Sequence, residues 1–176
     1  MEQRTKVLRA ITLLTQKRTG IIKGRTVADG STQREYIDKN EATSPALSNE
    51  ALVISVAIDA YEKRFVATTD VEGAYLNAFM DDLVYMVYEG DMVKYLVESN
   101  PTKYQDYIHT NKSGKKLLYV KVNKALYGCV KSAQLWYNEF AGTLKEMGFK
   151  KIHTTHASQI KTLMEHNVLY VGMSTI

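Results

Sequence analysis

The feature that most constrains the fold is a short, partly apolar stretch that ends in an aspartate. Phe65 and Ala67 alternate along this stretch, Asp70 closes it, and the aromatic Tyr75 follows five residues later. Alternating apolar residues predict a strand. An aspartate at a strand end is usually a turn or cap residue, but the same position suits a carboxylate that binds a metal ion. The stretch therefore predicts a sheet with Asp70 at its edge, beside a turn.

Further extended segments indicate that this strand belongs to a larger sheet. Residues 158–163 and 167–171 predict a hairpin around Glu165 and His166, and residues 21–27 and 83–88 also read as strands. Strands that alternate with helices and are joined by hairpins predict an α+β fold. In that fold we expect an antiparallel sheet covered by helices on one face, with the 167–171 strand next to the strand that ends at Asp70, so that Asp70 and Gly172 lie close together.

Four segments are predicted to be helical. They are 4–16, ending near Gly20, then 46–61, 91–99 and 131–147. Ser44 and Pro45 favour the start of the second helix, because serine caps free amides and proline suits a first turn. Its expected buried face is Leu47, Ala51, Ile54 and Ile58, at helical spacing. The expected apolar stripe of the last helix is Trp136, Phe140, Leu144 and Met147, before Gly148.

Composition bounds the class of protein. A chain of 176 residues with 45% hydrophobic content is one domain or part of one. The single cysteine, Cys129, excludes an internal disulfide and fits a reducing intracellular compartment such as the cytoplasm. The longest apolar run, 51–58, is too short to span a bilayer, so no membrane partner is expected.

Charge is distributed unevenly along the chain. Residues 1–34 contain eight basic and two acidic residues, whereas the remainder contains fifteen basic and seventeen acidic residues. A basic front segment is the footprint of a phosphate-binding surface. A solvated basic helix and turn over residues 1–20 would give the same pattern, and charge alone does not separate the two.

An ordered set of motifs resembles the reverse transcriptases of copia-type retrotransposons. In chain order the motifs are IKGRTVADG at 22–30, TSP at 43–45, DVEGAYLN at 70–77, VYM at 84–86, KALYG at 124–128 and WY at 136–137. The resemblance covers about residues 15 to 173. It implies the fingers and part of the palm of a right-hand polymerase, so we expect a partial reverse transcriptase domain over 21–176 after the basic segment 1–20.

The resemblance also implies roles for individual residues. Asp70 would ligate both Mg²⁺ or Mn²⁺ ions of nucleotidyl transfer, and the Val71 carbonyl would help to hold the metal that carries the triphosphate. Tyr75 would lie under the sugar and exclude a 2′-hydroxyl, or it would be a core aromatic. Lys23 and Arg25 would contact the triphosphate of the incoming dNTP, or they would be solvated strand charges. The implied partners are an RNA template, an RNA–DNA duplex and dNTPs.

The segment 124–131 is similar to the turn before the template-contacting helix. Tyr127, Gly128 and Lys131 are its expected nucleotide contacts, since a glycine lets backbone approach a ligand closely. The chain departs from the family pattern here: Val130, Lys131 and Ala133 replace a typical lysine, glutamine and proline. The detail of nucleotide contact is therefore open.

Two other groups invite a metal-binding interpretation. Asp81 and Asp82 resemble a catalytic aspartate pair, but they start only eleven residues after Asp70 and precede the Tyr127–Gly128 turn that such a pair should follow. They are interpreted as an acidic loop. The histidines His109, His153, His156 and His166 could suggest zinc, but one cysteine and no second paired cluster argue against it.

The expected aspartate pair is missing at the end of the 167–171 segment. Gly172 and Met173 stand in its place; glycine has no ligand atom and a thioether binds Mg²⁺ poorly. We therefore expect weak or absent metal binding and an inactive fragment of an RNA-directed DNA polymerase. Two alternatives are a segment of a working polymerase with further downstream sequence, and a non-catalytic nucleic-acid-binding module. The sequence does not indicate an oligomeric state.

Overall fold

The computed structural model describes residues 7–44, 49–154, 157–164 and 167–172. The strands in these residues are β1 Leu8–Gln16, β2 Ile22–Ala28, β3 Phe65–Asp70, β4 Tyr85–Glu89, β5 Ile108–Thr110, β6 Lys116–Lys121, β7 Lys150–Thr154, β8 Ala157–Met164 and β9 Asn167–Gly172. The α-helices are α1 Lys39–Ala42, α2 Asn49–Tyr61, α3 Asp91–Ser99, α4 Pro101–Tyr104 and α5 Ser132–Glu146. Short 3₁₀ helices cover Gly30–Glu35, Ala74–Asn77 and Gln105–Tyr107.

The chain divides into two compact units, each built from two separate stretches. The first unit combines Met1–Ala42 with Phe79–Ser132, and the second combines Thr43–Ala78 with Ala133–Ile176. Each unit contains its own sheet. Among the described residues, no helix has both the length and the apolar character needed to cross a membrane.

The first unit is built on a five-stranded sheet in the order β2-β1-β4-β6-β5. β1 and β2 form a long antiparallel hairpin, from Ala10 opposite Ala28 to Gln16 opposite Ile22. The other edge of β1 pairs with β4 in parallel, and β4, β6 and β5 pair antiparallel. The buried core is Leu8, Ala28, Val84, Met86, Val122 and Cys129. Burial of these apolar side chains, at about 25 cal/mol per Å², is the main stabilising term of the unit.

The helix predicted over 4–16 is wrong for its described part, because residues 8–16 form strand β1. Leu8 and Ile11 have helical spacing, but the segment also contains the β-branched residues Thr12 and Thr15, which favour strands. Two register pairs with β4 at its start and seven with β2 along the rest hold the segment in an extended conformation. Tertiary pairing therefore overrides a weak helical periodicity. The strand predicted over 21–27 is confirmed by β2.

The second unit contains a four-stranded sheet in the order β3-β9-β8-β7. The pairing of β8 with β9 confirms the predicted hairpin strands; the turn residues Glu165 and His166 lie outside the described residues. β3 pairs with β9 in parallel, so the prediction of an antiparallel sheet is wrong for this pair. Asp70 is the last residue of β3, and Gly172 is the last residue of β9. Two such residues become neighbours only if the strands run in the same direction.

Helix α2 confirms the predicted helix as far as it is described, but not its predicted buried face. Ile54 and Ile58 are exposed, whereas Ser55 and Asp59 are buried. A guanidinium nitrogen of Arg64 lies 3.3 Å from a carboxylate oxygen of Asp59, so the buried acidic side chain has a basic partner. The predicted contacts of Leu47 and Ala51 lie outside the described side chains. The apolar residues of α2 therefore line a surface of the described unit.

Helix α5 confirms the helix predicted over 131–147, and α3 confirms the one over 91–99. Trp136 and Leu144 are buried, and the Trp136 ring lies 5.2 Å from that of Phe140, centroid to centroid. Met147 is 59% exposed, so the predicted apolar stripe ends one turn earlier than expected.

Candidate functional site

The end of β3 presents the candidate residues Asp70, Val71 and Tyr75 in one continuous turn. Asp70 closes the strand and is exposed, and Val71 follows it, half-buried. Gly73 has a φ of 59°, a left-handed conformation that side chains rarely adopt. This turn starts the 3₁₀ helix that carries Tyr75, which is half-buried. The sequence therefore folds into a strand, a tight turn and a short helix that keep the three residues close along the chain.

Pairing with β9 places a glycine beside Asp70. The register of β3 and β9 runs from Phe65 opposite Asn167 to Asp70 opposite Gly172. Neighbouring strands lie about 4.8 Å apart, so the predicted proximity of Asp70 and Gly172 is confirmed. Met173, the second residue that replaces the expected aspartate pair, lies outside the described residues.

The residues at this strand edge do not fit a two-metal centre. Two Mg²⁺ or Mn²⁺ ions held close together need several converging oxygen ligands to offset their mutual repulsion. Asp70 supplies one carboxylate, and Gly172 has no side chain with which to supply a second. Within the described part of the chain, no group of three or more histidine, cysteine, aspartate or glutamate side chains is arranged to hold a metal ion. No step of nucleotidyl transfer through a metal pair follows from these residues.

The candidate triphosphate contacts Lys23 and Arg25 lie on the β1–β2 hairpin of the first unit. Their register partners are Thr15 and Leu13, so both side chains project from the same face of β2. Lys23 is half-buried and Arg25 is exposed. Residues 7–28 contain five basic residues and no acidic one. The described part of the basic segment predicted as a helix and turn, residues 7–20, thus belongs to a cationic β-hairpin.

Gly128 lies in a turn where the chain approaches its own backbone. A Cβ on Gly128 would lie 1.8 Å from the carbonyl oxygen of Ala28, and one on Gly30 would lie 2.0 Å from the carbonyl oxygen of Gly128. The Ala28 N–H donates to the Tyr127 carbonyl at 2.8 Å. These contacts explain both glycines without a ligand, so the expected approach of Gly128 to a nucleotide is not needed to account for the residue.

Two polar residues that sequence reasoning missed hold this turn. The carboxamide oxygen of Gln33, which is 3% exposed, accepts the Val130 N–H at 2.9 Å. The buried Ser132 hydroxyl donates to the Leu126 carbonyl at 2.7 Å and accepts the Leu126 N–H at 3.0 Å. Gln33 is 97 residues from Val130 in sequence, and no local pattern signals such a contact. The turn is therefore held by side chains from two distant segments.

Lys131 is bound by the acidic loop and not left open to solvent. Its ammonium nitrogen lies 2.8 Å from an Asp81 carboxylate oxygen and 2.9 Å from one of Asp82, and Glu41 lies 3.9 Å away. Burial alone would lower the pKa of Lys131, but the hydrogen bonds to Asp81 and Asp82 outweigh it, and the net shift of the pKa is upward. Lys131 therefore stays charged, and the aspartate pair has a structural partner.

The histidines offer no metal cluster within the described residues. His109 packs edge-on against Tyr119, with ring centroids 5.8 Å apart. His156 and His166 lie outside the described residues, as does the side chain of His153.

Comparison with known proteins gives matches over most of the chain. The family described as "Reverse transcriptase (RNA-dependent DNA polymerase)" matches residues 9–174. The "Retrovirus-related Pol polyprotein from transposon TNT 1-94" of Nicotiana tabacum is 24% identical over 147 residues, which cover 84% of this chain and 10% of that protein. The "Retrovirus-related Pol polyprotein from transposon RE1" of Arabidopsis thaliana is 32% identical over 130 residues, or 72% of this chain and 7% of that protein. The matched region is thus a tenth or less of each relative. No solved structure matches the chain.

Proposed function

The chain belongs to the reverse transcriptase (RNA-dependent DNA polymerase) family, of copia type, and from this premise we propose that it binds nucleic acid without catalysing DNA synthesis. The family role is the copying of an RNA template into DNA. In this chain the binding surface of that role is retained, and the chemical step is lost. The proposed ligands are single-stranded RNA, an RNA–DNA duplex and dNTPs.

The observation that carries the proposed loss of activity is the pairing of Asp70 with Gly172. A carboxylate at the position of Gly172 would lie one strand away from Asp70 and could share metal ions with it. Glycine leaves this position without a ligand atom. Asp70 then contributes at most a single, weak cation contact, which the Val71 carbonyl could assist. Tyr75 would still lie near a bound sugar, as the resemblance implies.

The cationic hairpin supports the proposed binding. Lys23 and Arg25 share one face of β2, and Lys17 and Arg18 lie at the hairpin turn. Phosphate contacts made by such residues release counterions from the nucleic acid, which drives sequence-independent association. Tyr127 and Gly128, held by Gln33 and Ala28, would offer the backbone of a rigid turn to a nucleotide. Lys131 would add a charge only if it were released from Asp81 and Asp82.

Primer extension tests the proposed loss of activity. With Mg²⁺ or Mn²⁺, a primed RNA template and dNTPs, we expect no nucleotide addition, and Asp70→Asn should behave like the unaltered chain. Synthesis that disappears in Asp70→Asn would show that one carboxylate suffices and would refute the proposal. Synthesis that disappears in Asp81→Asn but not in Asp70→Asn would place the active site at the acidic loop.

The salt dependence of duplex binding tests the proposed surface. Affinity for an RNA–DNA duplex should fall steeply as salt rises, with a slope of log affinity against log salt near −0.9 for each phosphate contact. Lys23→Ala with Arg25→Ala should flatten this slope by about one to two units. Lys94→Ala with Lys112→Ala removes the same charge from exposed sites elsewhere in the first unit and serves as the control. An equal slope in both double variants would locate the contact surface elsewhere.

A further inference from the structure

The Asp81–Asp82 loop holds Lys131 in a defined ion pair. The Lys131 side chain is 14% exposed, whereas Asp81 and Asp82 are 50% and 52% exposed. Two of the three ammonium donors of Lys131 are therefore directed at carboxylates that remain open to water on their other sides. Together with Glu41, three carboxylates surround one cation. An approaching anion meets a site whose net charge is negative, although its central group is positive.

The loop is positioned by contacts other than the ion pair. Just before the aspartates, the Met80 N–H donates to the Asn123 carbonyl at 3.0 Å, and Phe79 forms a β-bridge with Lys124. The Lys124 ammonium lies 3.7 Å from the centroid of the Phe79 ring. Both carboxylates are thus presented to Lys131 by a backbone that is already fixed. Such preorganisation lowers the entropic cost of the pair and makes the two aspartates an effective competitor for the lysine.

We propose that Asp81 and Asp82 occupy the position of ligand phosphates on Lys131 and set which ligands can bind there. A ligand must displace two carboxylates, so a single phosphate gains little, whereas adjacent phosphates that carry several charges can replace both. The acidic loop then selects polyphosphates, such as the triphosphate of a nucleotide, over monophosphates. This inference rests on the proposed function, because Lys131 is one of the nucleotide contacts expected there. The inference adds that the acidic loop makes this contact selective for polyphosphates.

Binding of inorganic tripolyphosphate by the full chain at low salt tests the inference. Asp81→Asn with Asp82→Asn should strengthen binding roughly tenfold, because the competitor is neutral but keeps its shape. In a Lys131→Met background, the same two substitutions should raise the affinity for tripolyphosphate by no more than about twofold, because the lysine for which the aspartates compete is absent. Asp91→Asn with Glu98→Gln removes equal charge from exposed sites of the first unit and controls for long-range electrostatics. Inorganic phosphate should bind every variant weakly.

Each other outcome contradicts the inference. An equal gain with and without Lys131, or an equal gain in the control pair, would show a general charge effect. No gain, or a loss, would show that the aspartates do not compete for Lys131. If the double variant fails to fold, the single variants Asp81→Asn and Asp82→Asn take its place. Duplex binding measured on the same proteins separates the two proposals. Its absence refutes the proposed function. A gain in tripolyphosphate affinity that depends on Lys131 still supports the proposal that Asp81 and Asp82 compete for this lysine.

Discussion

At the scale of single residues, the backbone at Gly128 leaves no room for a side chain. Its φ is 94°, and an added Cβ would lie 1.8 Å from the Ala28 carbonyl oxygen. We expect Gly128→Ala to destabilise the first unit by more than about 2 kcal/mol, because left-handed strain adds to a clash with backbone. Urea denaturation measures the change in the free energy of unfolding.

Gly20→Ala is the matched control for Gly128→Ala. Gly20 has a φ of 81°, but nothing lies within 4 Å of its added Cβ. It should therefore show the conformational cost alone, roughly 1–2 kcal/mol. If the two substitutions changed the free energy of unfolding equally, an added Cβ on Gly128 would not clash with the Ala28 carbonyl oxygen.

Gln33 gives a second residue-scale prediction. Gln33→Leu leaves the half-buried Val130 N–H without its acceptor, which should cost about 1–3 kcal/mol and speed hydrogen exchange of that amide. Gln33→Glu keeps an acceptor oxygen and should retain slow exchange. Gln105→Leu, at an exposed position, serves as the control and should lie within about 0.5 kcal/mol of the unaltered chain. Unchanged exchange at Val130 in Gln33→Leu would refute the contact.

Sequence reasoning found some of these residues and not others, for a physical reason. The proximity of Asp70 and Gly172 could be predicted, because each ends a strand and the motif order implies that the strands are neighbours. The partners of Lys131 could not, since a lysine at a helix start looks equally suited to a ligand or to a distant carboxylate. Gln33 had no signal at all. Long-range polar contacts depend on side-chain geometry that one sequence does not encode in its periodicity.

At the scale of elements, α5 carries the clearest stability prediction. Trp136 is 5% exposed and packs beside Phe140, so Trp136→Ala should lower the free energy of unfolding by roughly 3–5 kcal/mol through lost burial and a residual cavity. Met147→Ala, at an exposed position beyond the helix end, should change it by less than about 0.5 kcal/mol. Thermal or urea unfolding compares the two. A negligible effect of Trp136→Ala would show that this face of α5 is not packed.

Strong periodicity predicted helices better than it predicted sheets. The helix predicted over 131–147 matches α5 to within one residue at each end, and the one predicted over 91–99 matches α3. The helix predicted over 4–16 is wrong for residues 8–16, because the helical spacing of Leu8 and Ile11 is outweighed by pairing with β2 and β4. The direction of β3 relative to β9 was also wrong. Strand direction follows from the path of the chain between two strands, and this path is absent from local sequence patterns.

At the scale of the whole molecule, Cys129 reports on the opening of the first unit. Burial raises the pKa of its thiol to about 11, so at pH 8 roughly one thiol in a thousand is ionised in the folded chain. We expect alkylation by iodoacetamide at pH 8 to be at least about a hundredfold slower than in urea. The unfolded chain ionises this thiol at lower pH than the folded chain, so stability should also fall as pH rises from about 9 to 11. Fast labelling under native conditions would show that Cys129 is accessible.

The parallel pairing of β3 with β9 has a consequence for how the chain is made. Asp70 meets its neighbour only after about a hundred further residues have been translated, which takes roughly 5–20 s at ordinary rates of synthesis. The intervening stretch 79–132 belongs to the other unit and leaves the ribosome first. During that interval β3 has no partner strand, while apolar residues of α2 face water. Chaperones that bind exposed strands would therefore encounter an unpaired β3 in the middle of synthesis, before the strand that covers its edge has been made.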